Sequence, residues 1–237
     1  MKKILITNDD GINADGLIRL AKVASKFGEV YVVAPDGERS AASHSVTLRH
    51  SIEAWSVDFP VPGVKAYACT GQPADCVRIG VLNIVPGKPD HVFSGINYGF
   101  NVASDIQYSA TAGAAFEAAF QRIHTIAFSE DAKEMHEVTD RYLEELMAEL
   151  MEKPLGIDQI WNVNFPSCPL SECQGILYDR RVSHDAFYRD HYDETPTEGG
   201  RTAYMVVGVR DYQASEGTDL RAVIDKYVSV GIATNIS

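Results

Sequence analysis

The sequence predicts an α/β fold built on a doubly wound, mostly parallel sheet. Three observations lead there. A strand–helix–strand unit opens the chain, and short apolar runs keep alternating with helical stretches as far as Asn164. The 237 residues are 45% hydrophobic and 23% charged, the balance of a chain that buries a substantial core. No internal repeat or low-complexity tract interrupts the pattern, so a single domain over 1–237 is expected.

Lys3–Thr7 is a short β-branched run that stops at Asn8-Asp9-Asp10-Gly11, a buried strand and its turn. From Gly16 the period changes: Leu17, Leu20, Ala21, Ala24 and Phe27 share one helical face. Val30–Ala34 is the second strand, ended by Pro35. Because the crossover contains a helix, the two strands pair in parallel. Ala66–Thr70 reads as a strand and Ala74–Val85 as a helix led by Pro73. His91–Phe93 is a short strand running into Ser94-Gly95-Ile96-Asn97. Ala110–Gln121, rich in Ala and Gly, is a closely packed helix, followed by a strand at Thr125–Phe128. Val138, Tyr142, Leu146 and Leu150 mark an amphipathic helix over Lys133–Glu152, and Ile160–Asn164 returns to strand.

The style shifts after Pro166. Asp179–Gly200 is charged and poor in aliphatics, a long excursion of the kind that carries substrate or subunit contacts. Ala203–Arg210 is a strand, Thr218–Asp225 a short helix and Tyr227–Ala233 a last strand.

Composition excludes several classes of function. With 33 acidic and 21 basic residues the net charge is −12, which repels a phosphate backbone, so no duplex nucleic acid partner is expected. No apolar stretch has the length of a signal peptide or a membrane span, so no membrane partner and a cytoplasmic location are expected. Cys69, Cys76, Cys168 and Cys173 form no CxxC pair and read as reduced thiols. The phosphate loops of common nucleotide-binding folds and the GxSxG elbow are absent.

In open parallel sheets ligands bind beyond the carboxyl ends of the strands. There the chain places Asn8, Asp9 and Asp10, then Asp36, Glu38, Arg39 and Ser40, then Ser94, Gly95 and Asn97. One acid in such a turn reads equally as a helix cap or an Asx-turn. Two acids beside an amide also fit a metal centre, and a set of carboxylate, hydroxyl and amide oxygens favours Mg²⁺ or Mn²⁺ over Zn²⁺. An aspartyl phosphatase would place Asp-x-Asp here, whereas the chain has Asn8-Asp9-Asp10. Ser109 caps the Ala-rich helix, whose first N–H groups suit either an ordinary cap or a phosphate. His44 follows Ser40 closely; His184 and His191 lie in the charged excursion.

Several blocks carry a resemblance. They are Ile6-Thr7-Asn8-Asp9-Asp10-Gly11, Val33-Ala34-Pro35-Asp36 with Glu38-Arg39-Ser40-Ala41 and His44-Ser45, and Pro73-Ala74-Asp75-Cys76-Val77. Ser94-Gly95-Ile96-Asn97, Tyr108-Ser109-x-Thr111, Asn162-Val163-Asn164 and Gly217-Thr218-Asp219 follow in the same order. Together they resemble the survival protein SurE family. The chain departs from the family pattern at Ser43, Gln72, Tyr98 and Ala110. The resemblance implies a Rossmann-like domain with a C-terminal β-hairpin arm, here 176–215, used in oligomerisation as a homodimer or homotetramer. It implies a metal-dependent nucleotidase acting on nucleoside 5′- and 3′-monophosphates by attack of metal-activated water, with polyphosphate or exonuclease activity in some relatives. One divalent cation per subunit, Mg²⁺ or Mn²⁺, would sit on Asp9, Asp10, Ser40 and Asn97, with Asp9, Asp10 and Asn97 catalytic. Asn8, Gly95, Ser109 and Thr111 would contact the substrate phosphate. A nucleoside hydrolase that releases free base, and a non-catalytic nucleotide or metal sensor, are the competing readings.

Overall fold

The computed structural model describes residues 1–236; Ser237, the last residue of the domain expected over 1–237, lies outside the described residues. Eleven strands form among the described residues: β1 (Lys2–Thr7), β2 (Gly28–Pro35), β3 (Ala54–Val57), β4 (Lys65–Cys69), β5 (His91–Tyr98), β6 (His124–Glu130), β7 (Gln159–Phe165), β8 (Ile176–Leu177), β9 (Tyr188–Pro196), β10 (Thr202–Arg210) and β11 (Val228–Thr234). The helices are α1 (Asp15–Ala24), α2 (Pro73–Ile79), α3 (Ala110–Phe120), α4 (Glu137–Leu150) and α5 (Asp219–Ile224). No helix of the described residues is long and apolar enough to cross a membrane.

Nine strands share one sheet in the order β3-β4-β2-β1-β5-β6-β7-β11-β8. From β4 to β7 every pairing is parallel; β3 and β11 join antiparallel. The chain winds outward from β1 to β4, then returns to lay β5, β6 and β7 on the other side. The direction reverses between β1 and β5, where a doubly wound sheet opens its crevice.

The strand alternation sorts side chains between two helical layers. Ile4, Ile6, Val30 and Val32 pack with α1 and α4. Leu5, Tyr31, Val33 and Val92 point the other way and pack with α2 and α3. Helix α3 is buried over nearly its whole length, because its Ala and Gly residues let it lie close against its neighbours. A methyl group at Gly113 would lie 2.5 Å from the Ser43 carbonyl oxygen, so the α3 backbone abuts the loop after β2.

Several boundaries differ from the sequence reading. Strand β5 runs to Tyr98, since Ser94 still pairs with Thr7, and Asn97 and Tyr98 pair with Ser129 and Glu130. The Ser94–Asn97 segment is thus strand with a bulge, not a loop. Helix α4 starts at Glu137, after a turn held by Lys133 N–H to the Asp131 carbonyl. Helix α2 gives way at Gly80 to one wide turn over Gly80–Ile84. Part of the charged excursion is itself a strand: β9 pairs antiparallel with β10, from Tyr188–Arg210 to Pro196–Thr202, as a separate two-stranded hairpin. Within 176–215 the hairpin occupies 188–210. Residues 176–187 are tied to the body, with β8 beside β11 and Arg181 bridged to Thr218.

Candidate functional site

The first wall is the turn after β1. Asn8 is fully buried, and its carboxamide closes the turn: Nδ2 donates to the Gly11 carbonyl at 2.9 Å, and Gly11 N–H donates to Oδ1 at 3.2 Å. Gly11 has φ +101°, and a Cβ there would lie 3.2 Å from Gly37 Cα, so the turn needs glycine. The closure holds Asp9 and Asp10 beyond the strand end.

Asp9 is buried, 3% exposed. Its carboxylate accepts a hydrogen bond from the Thr111 hydroxyl in the first turn of α3. Its carbonyl accepts Arg39 N–H at 2.7 Å, which ties in the loop after β2. Asp10 is half-buried and accepts Tyr98 N–H at 3.1 Å. No ion pair joins either acid to a basic side chain among the described residues. Burial pushes the Asp9 carboxyl up to about 7, with repulsion from Asp10 adding and the Thr111 hydrogen bond opposing. Asp10 is raised as well, by burial first and by Glu38 second.

The second wall is the bulge of β5. Asn97 donates Nδ2 to the Gly99 carbonyl at 2.7 Å, and its Oδ1 lies 3.4 Å from the Thr111 hydroxyl. Asp9, Asn97 and Thr111 therefore form one connected group. The third wall is the loop after β2, where exposed Ser40 donates its hydroxyl to Glu38 at 2.8 Å.

Asp9, Ser40, Asn97 and Ser109 open on one cavity of about 380 Å³. Ser109 also caps α3, accepting Ala112 N–H at 2.9 Å. Tyr98, Tyr108 and Tyr188 supply aromatic faces, and Asp105 and Asp190 supply carboxylates. A larger cavity of about 640 Å³ adjoins on the far side of Asp10, with Asp15, Glu38, Glu130 and Glu134 on its wall. It contains neither Asp9, Ser40 nor Asn97, and its acids disfavour an anionic substrate.

Of the four oxygen-donor residues anticipated for a metal, Asp9, Ser40 and Asn97, from two loops and the β5 bulge, line the smaller cavity, and Asp10 lines the larger one beside it. Among the residues anticipated for phosphate, Ser109 faces the cavity and three do not. Asn8 is consumed by its own turn. Thr111 is buried and spends its hydroxyl on Asp9. Gly95 is packed against β6, where a Cβ would lie 2.2 Å from the Phe128 carbonyl oxygen. His44 also turns away: its ring contacts Glu117 at 3.1 Å and stacks on Phe120. Sequence reasoning missed Asp105, Tyr188 and Asp190. Tyr188 and Asp190 belong to a hairpin whose position no sequence pattern announces.

A model of the family described as Survival protein SurE matches residues 4–186. Curated relatives named 5′-nucleotidase SurE, from Clostridium botulinum and Aeromonas hydrophila, are each 36% identical and align with 96% of this chain and 90% of their own. The crystal structure of the SurE protein from Aquifex aeolicus superposes with a TM-score of 0.84 at 31% identity, covering 99% of this chain and 94% of that one. A family model over most of the chain, sequence identity along nearly its whole length and a close structural superposition agree: the chain belongs to the SurE family.

Proposed function

We propose that the chain is a metal-dependent nucleotidase that hydrolyses nucleoside 5′-monophosphates, and 3′-monophosphates in the same cavity, to nucleoside and phosphate. The observation that carries this reading is the Asp9–Asp10 pair, adjacent acids at the switch point that no basic side chain neutralises among the described residues. Buried like charges of this kind fit a divalent cation. The donor set, two carboxylates with the Ser40 hydroxyl and the Asn97 carbonyl oxygen, is hard and suits Mg²⁺ or Mn²⁺, one per subunit. When bound, such an ion supplies Lewis-acid polarisation of a phosphoryl group and of an attacking water.

The chain's own residues prepare that chemistry. Thr111 orients Asp9, and Tyr98 N–H orients Asp10. Asn97, anchored through Nδ2 to Gly99, keeps its carbonyl oxygen on the Thr111 side. The first turn of α3, beside Ser109, offers backbone N–H groups and the positive end of the helix dipole to the phosphate. Tyr108 and Tyr188 offer faces on which a base stacks. Asn8 stands where an aspartyl phosphatase keeps its nucleophile, and it is an amide locked in a turn. Displacement at phosphorus is therefore by water in one step. The exposed hairpin mediates assembly into a homodimer or homotetramer, and free thiols at Cys69, Cys76, Cys168 and Cys173 fit a cytoplasmic enzyme.

A panel of nucleoside 5′- and 3′-monophosphates, with and without EDTA, tests the reading. Phosphate release that EDTA and Asp10→Asn both abolish is expected. Release of free base would mark a nucleoside hydrolase, and saturable nucleotide binding without any product would mark a sensor.

A further inference from the structure

A separate cavity of about 210 Å³ sits at the root of the hairpin. Asp131 and Lys133, just past β6, form one side, and Cys168, just past β7, forms the next. Arg210, the last residue of β10, and Lys226, just past α5, close it. Three cations thus face one small space in a chain whose net charge is −12.

The counter-charge at this wall falls short. Asp131 is its one carboxylate among the described residues. One Asp131 oxygen accepts Arg210 at 2.8 Å and the other pairs with Lys133 at 2.7 Å, so a single negative charge serves two cations. Lys226 reaches Glu172, but those side chains are 49% and 50% exposed, where an ion pair contributes little. The rings of Phe100 and Phe187, with centroids 6.0 Å apart, line the same cavity. The Arg210 guanidinium stands 5.4 Å over the Phe187 ring, a stacking that leaves its in-plane N–H groups able to bind a carboxylate.

We propose that this cavity binds a small organic anion, one carboxylate or sulfonate group on a body of about one ring, at a site distinct from the Asp9–Asp10 crevice. The anionic head meets Lys133 and Arg210, and the ring lies against Phe100 and Phe187. The space is smaller than the roughly 300–1,000 Å³ of drug-sized ligand sites, which excludes a whole nucleotide. Phe100 also lines the cavity onto which Asp9, Ser40 and Asn97 open, so an occupant sits one side chain away from it.

The test uses the full chain with its cation bound, and sodium benzoate and benzenesulfonate as probes in calorimetry at low salt. Saturable binding with one site per chain is expected for at least one probe, weakened tenfold or more in Lys133→Met and in Arg210→Met. Lys133 is largely exposed, so its replacement leaves the fold intact. Crystals soaked in 4-iodobenzoate should show an iodine peak inside this cavity, beside Phe100. Absence of saturable binding by both probes, equal binding of benzylamine, affinity unchanged in Lys133→Met, or an iodine peak confined to the cavity lined by Asp9, Ser40 and Asn97 would each overturn the proposal.

Discussion

Thr111, in the first turn of α3, donates its hydroxyl hydrogen bond to Asp9, at the end of β1, across 102 positions of sequence. The bond joins the two elements that flank the crevice. It also works against burial, favouring the ionised form of an acid that its surroundings push toward neutrality. Thr111→Val keeps the shape and removes the donor. A hydrogen bond to a charged group contributes about 1.5–3 kcal/mol. Activity and divalent-cation affinity are therefore expected to fall roughly 10- to 100-fold in Thr111→Val. Cation titration alongside kinetics checks this; a variant with wild-type affinity would detach Thr111 from the site.

Gly113→Ala gives a test of opposite sign to ordinary helix propensity. In an exposed helix the change stabilises by about 1 kcal/mol. Here the new methyl meets the Ser43 carbonyl oxygen at 2.5 Å and His44 Cα at 2.9 Å. Net destabilisation of about 1–3 kcal/mol is expected from overpacking, with loss of activity as the Ser40 loop is displaced. Denaturant unfolding that shows Gly113→Ala to be more stable than wild type would contradict the packing of α3 on that loop.

At the opposite end of the sheet His91 and His124 meet, Nδ1 to Nδ1, at 3.3 Å. His124 donates Nε2–H to the Lys153 carbonyl at 2.8 Å, which leaves its Nδ1 to accept from His91. Burial, with His124 second, pulls His91 down to about 4. The unfolded chain binds this proton near pH 6.5 and the folded chain near 4, so stability falls as pH drops through that window. The loss attributable to His91 is about 3 kcal/mol. Chemical denaturation from pH 7 to 4 should show a shallower decline for His91→Phe; parallel curves would refute the linkage.

Strands β9 and β10 pair over nine residues each, with Tyr192, Tyr204, Met205, Val206 and Val209 exposed. An isolated two-stranded hairpin is marginal in water, so this one calls for a partner surface. Replacing 191–207 with a short Gly-Ser turn is expected to leave the body folded and lower the oligomer mass in light scattering. An unchanged mass, or a monomeric wild type, would remove the hairpin from assembly.

Most of the sheet was legible in the sequence because parallel strands buried on both faces are continuous apolar runs, as in Ile4-Leu5-Ile6 and Val30–Ala34. The crevice followed from topology alone, which brings Asp9, Ser40 and Asn97 to one end of the sheet. Other features lacked a local signal. Strand β9 is exposed on both faces and highly charged, so no hydrophobic alternation marks it. Ser94-Gly95-Ile96-Asn97 looks like a turn, yet β1 and β6 hold it extended from either side. Asn8 and Thr111 carry the right groups for phosphate contact, but their hydrogen bonds are spent on Gly11 and Asp9. Which of two polar neighbours faces a cavity is decided by tertiary packing, not by residue type.

An anomalous difference map from crystals of the full chain soaked in Mn²⁺ tests the metal centre directly. One strong peak per subunit is expected, in contact with Asp9 and Asp10 and within coordinating reach of Ser40 and Asn97. A map with no peak at these residues, from crystals whose dissolved protein still releases phosphate from a nucleoside monophosphate in Mn²⁺, would contradict it.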